Sequence, residues 1–314
     1  MNMNFTTSVP CANSGRLLSH HSHFALMGSC FSEHMAQRLA FYRFSVQSNP
    51  NGIVFHPLPL ANALRRAAED LRYSQQDVAK YQDYYYSENH HGSFRNASAD
   101  AMIEQMEKSR LVMHNQLQKT DLLMITLGSA WGYRSISTHK IVANCHKLPN
   151  SFFIKELTDI ATMQQSWEEV LRSIHLQNPA LRVVFTVSPV RHTRDGMIEN
   201  NRSKARLIEL AHRLCDLFDW VSYFPAFEIM MDELRDYRFY ERDMIHPSPL
   251  AIDVIWERWT EAYLQPSALQ LMTKMQPHLL KIQHRSLHET DEATEERLST
   301  AALAIQQLIQ SYQP

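Results

Sequence analysis

Paired cysteines, an excess of one charge and long apolar runs are all missing from this sequence of 314 residues. Its four cysteines are scattered and form no CxxC pair, which argues against a disulfide scaffold, a zinc site or a redox motif and predicts reduced thiols. The 31 Lys and Arg residues nearly balance 33 Asp and Glu residues, giving a formal net charge of -2. No overall field therefore favours nucleic acid or an anionic membrane surface as a partner.

Membrane and secretion signals are missing as well. No apolar stretch approaches the roughly 20 residues that span a bilayer. The N-terminal stretch MNMNFTTSVPCANSG has neither a basic start nor the apolar segment of a secretory signal, so we expect a cytoplasmic protein without a membrane partner. With 44% hydrophobic residues and no visible repeat, the chain is long enough for one large globular domain.

The most informative segment that is present is FALMGSCF, from Phe24 to Phe31. Its apolar run is broken at Gly28, and Ser29 and Cys30 then stand directly before residues of helical period. This pattern predicts a strand, a tight turn and a helix. In a parallel sheet the carboxyl end of a strand faces the ligand crevice, and the next helix start offers unpaired N–H groups. A hydroxyl or thiol at this turn would therefore lie beside an anion-binding position.

Further apolar runs alternate with helical periodicities along the chain. Strands are predicted within 44–50, 121–127, 182–188 and 220–224, and helices over 57–72, 100–119, 156–175, 198–218 and 248–263, with a loop over 81–96. The alternation predicts a doubly wound parallel α/β sheet. We divide the chain into an N-terminal arm (1–23), an α/β domain (24–264) and a C-terminal helical extension (265–314) packed on the domain. The apolar stripe of the last helix is also a candidate oligomer contact.

A second candidate segment is DMIHPS, which contains Asp243 and His246. A spacing of three residues on a helical turn would place both side chains on one side, so the carboxylate would bind one imidazole nitrogen and leave the other free. That arrangement is typical of a general base with its orienting acid. An Asp before a helix is also a common N-cap, so the motif alone does not decide between the two interpretations.

Seven blocks follow one another in the chain: GSCFSEH, NPNGIVFHPL, LGSAWGY, NCHK, SPVRH, ENNRSKA and DMIHPS. With them the chain resembles the GSCFA family over about residues 24 to 260, and it is similar to the SGNH (GDSL-like) hydrolases. The resemblance implies a three-layer α/β/α fold with a five-stranded parallel sheet in the order 2-1-3-4-5, as in flavodoxin-like proteins. It also implies an ester-acting enzyme, and no cofactor is expected.

The resemblance further implies roles for individual residues. In the related hydrolases a Gly-Asp-Ser turn carries the nucleophile, and a DxxH motif supplies acid and base. Gly28, Ser29 and Cys30 correspond to that turn, with Cys30 in the nucleophile's place. Asp243 and His246 correspond to the DxxH motif.

The residues of the oxyanion hole match the related hydrolases less completely. Gly52, which follows Asn51, matches the second block of the related hydrolases. Gly128 and Trp131 belong to LGSAWGY, which stands where Gly-x-Asn-Asp is expected, so the side-chain oxyanion donor is missing. Loss of one such donor costs about 3 kcal/mol of transition-state stabilisation. Five other side chains are candidate substitutes or substrate-binding groups: His91, Asn144, His146, Arg191 and His192.

The turn contains two candidate nucleophiles. A cysteine at a helix start beside His246 is expected to ionise readily and to form an acyl-thioester, which favours Cys30. Ser29, one residue away, is chemically nearer to the related enzymes and stays the rival. A buried and inert Cys30 is the structural alternative.

Other polar groups suggest weaker interpretations. Adjacent histidines such as His20 and His21 lack a carboxylate at ligand spacing, so no metal site is expected. Four basic residues after the fourth strand would either bind an anionic or sugar substrate or lie on the solvated side of a helix. They are Arg191, Arg194, Arg202 and Lys204.

The sequence therefore predicts an SGNH-like hydrolase, esterase or acyltransferase. Its substrate would be an O-acyl ester, with an O-acetylated carbohydrate the first class to try. The alternative is a catalytically silent module of the same fold that binds a sugar or acyl ligand.

Overall fold

A five-stranded parallel sheet forms the centre of the protein, for which a computed structural model describes residues 7–11, 17–283 and 291–314. The strands in chain order are β1 (His23–Gly28), β2 (Ser45–Ser48), β3 (Ala79–Tyr81), β4 (Tyr84–Tyr86), β5 (Arg95–Asn96), β6 (Leu122–Leu127), β7 (Trp131–Ser135), β8 (Phe153–Leu157), β9 (Arg182–Val187) and β10 (Val221–Phe224). The central sheet has the order β10-β9-β6-β1-β2, and every pair in it is parallel. Renumbered along the chain, this is the order 2-1-3-4-5, so the predicted topology is confirmed.

Helices cover both faces of this sheet. They are α1 (Cys30–Phe41), α2 (Pro57–Ala68), α3 (Ala99–Leu117), α4 (Ile160–Gln177), α5 (Met197–Leu217), α6 (Ala226–Glu228), α7 (Pro249–Tyr263), α8 (Pro266–Gln283) and α9 (Asp291–Gln310), with a π-helical segment at Ile229–Leu234. Alternate residues of β1 point to opposite faces: Ala25 and Met27 pack with α2, α4 and α5, whereas Phe24 and Leu26 pack with α1 and α7. The three-layer α/β/α architecture follows from this two-sided burial.

Two local expectations were wrong. Residue Glu156 belongs to β8, which pairs antiparallel with β7, and α4 begins only at Ile160 behind its N-cap Asp159. The segment 81–96, predicted as a loop, contributes to a three-stranded antiparallel sheet of β3, β4 and β5. Both are short pairings between distant or aromatic-rich segments, where periodicity carries little information.

Leu18 and the two C-terminal helices pack against the α/β layers. Leu18 is buried and pairs with Leu264 at the end of α7, so this part of the N-terminal arm is core rather than a loose entry segment. The rest of the predicted arm lies partly outside the described residues. Helices α8 and α9 pack on each other and, through Met275 and Ile305, against Phe41 of α1. Their use as an oligomer contact stays a prediction. None of the helices that the structure describes is long and apolar enough to cross a bilayer.

The turn after β1 depends on Gly28. This glycine has a φ of +125°, and a Cβ built on it would lie 2.1 Å from the carbonyl oxygen of Thr126 on β6. Backbone hydrogen bonds close the turn, because the Gly28 N–H donates to Asn49 Oδ1 at 2.9 Å and the Ser29 N–H to Thr126 O at 3.2 Å. The absence of a side chain lets the chain pass β6 and start α1 at once.

We expect the substitution Gly28→Ala to destabilise the protein more than Gly196→Ala. Both glycines have positive φ, which costs alanine roughly 1–3 kcal/mol, but a Cβ at Gly196 meets nothing within 4 Å. The clash with Thr126 should add about 1 kcal/mol or more for Gly28. Urea unfolding of the two variants measures the difference, and equal losses would show that the close approach of β1 and β6 is not a constraint.

Candidate active site

A cavity of about 570 Å³ lies at the carboxyl edge of the central sheet. Segments that follow β1, β6 and β9 line it, together with the segment before α7. Its lining includes Ser29, Cys30, Ser129, Trp131, Arg191, His192 and His246. Six of these seven residues, all but Ser129, were predicted as site residues, and they come together at the place where parallel α/β sheets bind their ligands.

His246 and Asp243 form a hydrogen-bonded pair at the cavity rim. The Asp243 Oδ2 and His246 Nδ1 atoms are 2.6 Å apart, and Asp243 Oδ1 accepts the N–H groups of Ile245 at 2.8 Å and His246 at 3.0 Å. The residues between them form a turn with Met244 in the left-handed region (φ 58°), not the helical turn expected from the spacing. The backbone N–H of His246, then its ring, lowers the pKa of Asp243 to about 2. An ionised Asp243 fixes the ring and leaves Nε2 free for proton transfer.

Cys30 and Ser29 stand at the start of α1 in different environments. Ser29 is 3% exposed, and its Oγ accepts the N–H of Phe31 as the helix N-cap. Cys30 is half-buried and lines the cavity. Burial and the carboxylate of Glu33 raise the pKa of the Cys30 thiol, although the N–H groups of Cys30 and Phe31 oppose this. The expectation that Cys30 ionises readily because of its place at a helix start is therefore wrong: desolvation outweighs the helix terminus.

Backbone donors near this turn are unequally available. The Gly52 N–H donates to Asn49 O at 2.8 Å, and the Gly28 N–H to Asn49 Oδ1, so neither is free for an oxyanion. The role expected for Gly52 is thus not supported by its geometry. The Cys30 N–H donates to no oxygen atom of another residue within the described ranges, and the group it acts on is its own thiol. It is the backbone donor that remains at the turn.

Four further candidates lie away from this cavity. Asn51 is buried, accepts a hydrogen bond from Ser109 Oγ, and its carbonyl accepts the His91 N–H at 3.1 Å. Asn144 accepts the N–H of His146 at 2.8 Å, and the His146 ring is buried with Nε2 2.8 Å from Ser87 O. Burial lowers the pKa of His146 to about 4. None of Asn51, His91, Asn144 and His146 lines the cavity in the part of the chain that the structure describes. Their contacts hold the β3–β5 region together.

Arg191 and His192 do reach the cavity. The guanidinium of Arg191 lies 3.9 Å from the centre of the Tyr240 ring, and the Arg191 N–H donates to Ile245 O at 3.1 Å, which ties this segment to the DxxH turn. His192 stacks near Phe55, and its N–H donates to Asn200 Oδ1 at 2.8 Å. Burial lowers the pKa of His192 to about 3, so its ring is neutral near pH 7. A neutral ring and a fixed guanidinium are both able to contact substrate oxygen atoms.

The segment after β6 is held by α5. Ser129 Oγ lies 3.2 Å from Ser203 Oγ, and the Ala130 N–H donates to Ser203 Oγ at 2.7 Å. Trp131 lines the cavity, and its Nε1 donates to Glu199 O at 3.1 Å. Gly128 lies behind it, with its carbonyl bound by Lys204. The GSAW segment therefore forms a wall of the cavity that is anchored to α5, and it has no side-chain amide to serve as the expected oxyanion donor.

Sequence reasoning missed two residues that build the site. Asn49 binds the Gly28 N–H from the turn after β2, and Lys204 is buried rather than part of a solvated flank. A signal for Lys204 was present: it stands three residues before Leu207 and seven before Ala211, on the buried face of α5. Asn49 had no comparable signal, because only tertiary pairing of β1 and β2 brings it to Gly28.

No group of three or more His, Cys, Asp or Glu side chains has the geometry of metal ligands within residues 7–11, 17–283 and 291–314. His20 and His90, which each stand next to another histidine in the sequence, contact residues that are not metal ligands. His20 Nε2 lies 2.9 Å from Tyr42 O, and His90 stacks on Phe94.

Comparison with known proteins gives one family match. The model of the GSCFA family matches residues 23–259, a span that contains Ser29, Cys30, Asp243 and His246. A comparison with curated proteins finds no match. Solved structures that match include a carbohydrate esterase family 3 from Talaromyces cellulolyticus (8% identity, TM-score 0.35), covering 80% of this chain and 98% of that chain. A Clostridium thermocellum family 3 carbohydrate esterase matches with 10% identity and a TM-score of 0.35, over 82% and 98% of the two chains.

We expect the Asp243–His246 turn to persist in acid to about pH 2. The pKa of Asp243 in the folded protein lies below its ordinary value of 3.8, so the hydrogen bonds are fully present above pH 3.8 and are lost as the pH falls through about 2. The carboxyl 13C shift of Asp243, followed by NMR against pH, measures this midpoint.

The variant His246→Ala separates the two sources of that shift. Removal of the ring should move the midpoint upward but leave it below 3.8, because the backbone N–H groups of residues 245 and 246 still bind the carboxylate. A titration midpoint of 3.8 for Asp243 in the native protein would contradict the geometry of the turn.

Proposed function

The chain belongs to the GSCFA family, and on that premise we propose that it is an SGNH-like ester hydrolase or acyltransferase with Cys30 as nucleophile. The observation that carries the proposal is the shared cavity. Cys30 from the start of α1 and His246 from the segment before α7 line the same space, although 216 positions separate them. Asp243 orients the histidine at 2.6 Å. A nucleophile, a base and its orienting acid are the minimum for acyl transfer.

The first chemical step is acylation of Cys30. His246 Nε2 takes the thiol proton as Sγ attacks the ester carbonyl carbon, and the carbonyl π electrons move to the oxygen. Collapse of this tetrahedral species breaks the bond between the carbonyl carbon and the alcohol oxygen. The imidazolium of His246 returns the proton to that oxygen, and the alcohol leaves a thioester on Cys30.

The second step releases the acyl group. A water molecule, or a second alcohol in acyl transfer, gives its proton to His246 as its oxygen attacks the thioester carbonyl. Collapse breaks the bond between carbon and Sγ, and the sulfur recovers the proton. Asp243 stays ionised throughout and stabilises the imidazolium. The N–H of Cys30 at the α1 start supports negative charge on the carbonyl oxygen.

Cys30 is the stronger of the two nucleophile candidates. Ser29 is more deeply buried, and its Oγ already accepts the Phe31 N–H as helix cap. Attack by Ser29 would require that cap to be given up. Cys30 has no such structural task in the described contacts.

The cavity walls support a carbohydrate ester as the substrate class. Trp131 and Tyr133 line the cavity beside Lys155, whose ammonium lies 5.3 Å from the Trp131 ring centre. Aromatic faces with adjacent polar groups suit sugar rings, which combine C–H faces with hydroxyl edges. Arg191 and Arg194 add donors for substrate oxygens.

We expect turnover of p-nitrophenyl acetate that is lost in Cys30→Ala and falls by roughly 100-fold or more in His246→Ala, because the base is removed. Ser29→Ala should keep most of the activity. Steady-state assays at pH 7.5 measure the rates, with mass spectrometry to detect an acetyl group on Cys30.

His34→Ala is the matched control for the loss of a histidine. His34 is an exposed residue of α1 that interacts electrostatically with His246 but does not line the cavity. Its variant should retain native rates. Turnover that survives in Cys30→Ala and vanishes in Ser29→Ala would transfer the nucleophile's role to Ser29. Ligand binding without turnover in the native protein would favour the silent binding module.

Trp131→Ala should raise KM for an acetylated sugar with a smaller effect on kcat. Loss of one aromatic stacking partner weakens binding by about 1 kcal/mol, or roughly fivefold. The same variant assayed with p-nitrophenyl acetate, which has no sugar ring, serves as the control. Equal effects on both substrates would indicate that Trp131 supports the cavity wall and does not select carbohydrate.

A further inference from the structure

Lys204 is a fully buried lysine at the carboxyl edge of the central sheet. Lys204 is only 1% exposed, although lysine is almost never buried without a partner of opposite charge. Its Nζ donates to Gly128 O at 2.8 Å and to Ser188 O at 2.7 Å. No carboxylate within the described ranges is paired with it; the titratable group that acts on its charge is Cys30. A buried amine without a carboxylate requires an explanation.

The strand register places Lys204 and Cys30 at the same edge of the sheet. Three residues face one another across β1, β6 and β9: Gly28, Thr126 and Thr186. Two positions further along the chain, beyond the ends of these strands, stand Cys30, Gly128 and Ser188, which we call the Cys30 row. Lys204 binds the carbonyl oxygens of the second and third members of this row. Its amine therefore lies at the same edge of the sheet as the first member, Cys30.

The groups around this pair have opposing effects. Burial and Glu33 raise the pKa of Cys30, while the N–H groups at the α1 start and the charge of Lys204 lower it. Burial lowers the pKa of Lys204 to about 7, and Cys30 opposes that shift. His192, from the segment after β9, is also affected by the charge of Lys204, and His246 lines the cavity nearby. Glu33 and Lys204 are the acidic and the basic side chain whose charges act on the Cys30 thiol among the described residues.

Two carbonyl acceptors suit an amine that changes protonation state. A neutral amine has two N–H donors and one lone pair, whereas an ammonium has three donors. The bonds to Gly128 and Ser188 satisfy two donors in either state. Lys204 can thus gain or lose one proton while it keeps its anchorage to the sheet edge.

We propose that Lys204 is a positioning residue that stabilises the ionised sulfur of Cys30 as its buried counter-ion. The inference rests on the proposed function only in giving Cys30 the nucleophile's role. The chemical change is a proton transfer alone: the S–H bond of Cys30 breaks, the proton passes to His246 or to solvent, and the ammonium of Lys204 keeps its protons. The resulting thiolate and ammonium attract each other in a water-poor site, where such an attraction is strong.

The rate of alkylation of Cys30 by iodoacetamide, measured against pH, tests this proposal. The reagent reacts with the thiolate, and mass spectrometry of the peptide containing Cys30 separates it from the other cysteines. We expect Lys204→Met to react roughly tenfold more slowly at pH 7, since one pKa unit is a factor of ten. The native profile should flatten above about pH 7, where Lys204 loses its proton and its attraction for the sulfur. The variant should show a single ionisation at higher pH.

Arg206→Met is the matched control. Arg206 stands on the same helix and also donates to two carbonyl oxygens, those of Leu157 at 2.8 Å and Thr158 at 2.7 Å, but not at the Cys30 row. Its variant loses a positive charge and two hydrogen bonds, and should keep the native alkylation profile.

A second variant covers the case in which Lys204→Met fails to fold. Lys204→Gln keeps N–H donors for the two carbonyls and removes the charge, so it should show the same slow alkylation. A native profile without flattening, or a native-like profile in either Lys204 variant, would overturn the proposal. Because alkylation needs no ester turnover, these results are separate from a failure of the esterase assay.

Discussion

The close pairing of β1 with β6 at Gly28 is the constraint on which the site depends. Gly28 brings the chain so near Thr126 that a Cβ would lie 2.1 Å from its carbonyl oxygen. The turn is then closed by the Ser29 N–H, and α1 starts at Cys30 without an intervening loop. The thiol is thereby fixed at a helix N-terminus and at the sheet edge together. A longer turn would have separated the sulfur from the ends of β6 and β9.

Burial and exposure divide the cavity into two electrostatic regions. On the sheet side, desolvation raises the pKa of Cys30 and lowers those of Lys204 and His192, so each charged form is less stable there than in water. On the rim, the exposed Asp243 has a lowered pKa because three hydrogen-bond donors hold its charged form. Negative charge at the sulfur therefore needs local partners, whereas the acid that orients His246 needs none beyond its own turn.

Several elements were readable from the chain because their signals are local. The continuous apolar runs of β6 and β9 indicate strands covered on both faces, and the order of strands and helices restricts the sheet to few topologies. The turn at Gly28 was readable from one break in an apolar run. The strand β8 and the β3–β5 sheet were not, because their pairing partners lie elsewhere in the sequence and their residues have no regular period.

The sequence by itself determined the layered α/β architecture, through periodicity, and the pairing of Asp243 with His246, through neighbours three residues apart; it also singled out the two candidate segments around Cys30 and His246. Tertiary structure decided which candidates share the cavity, because that depends on contacts between distant segments. It placed Asn144 and His146 beside the β3–β5 sheet, committed the Gly52 N–H to Asn49, and buried Lys204 at the row of Cys30. Protonation also lay beyond the sequence: burial sets the desolvation energy of each charge, and burial is a property of the packed fold.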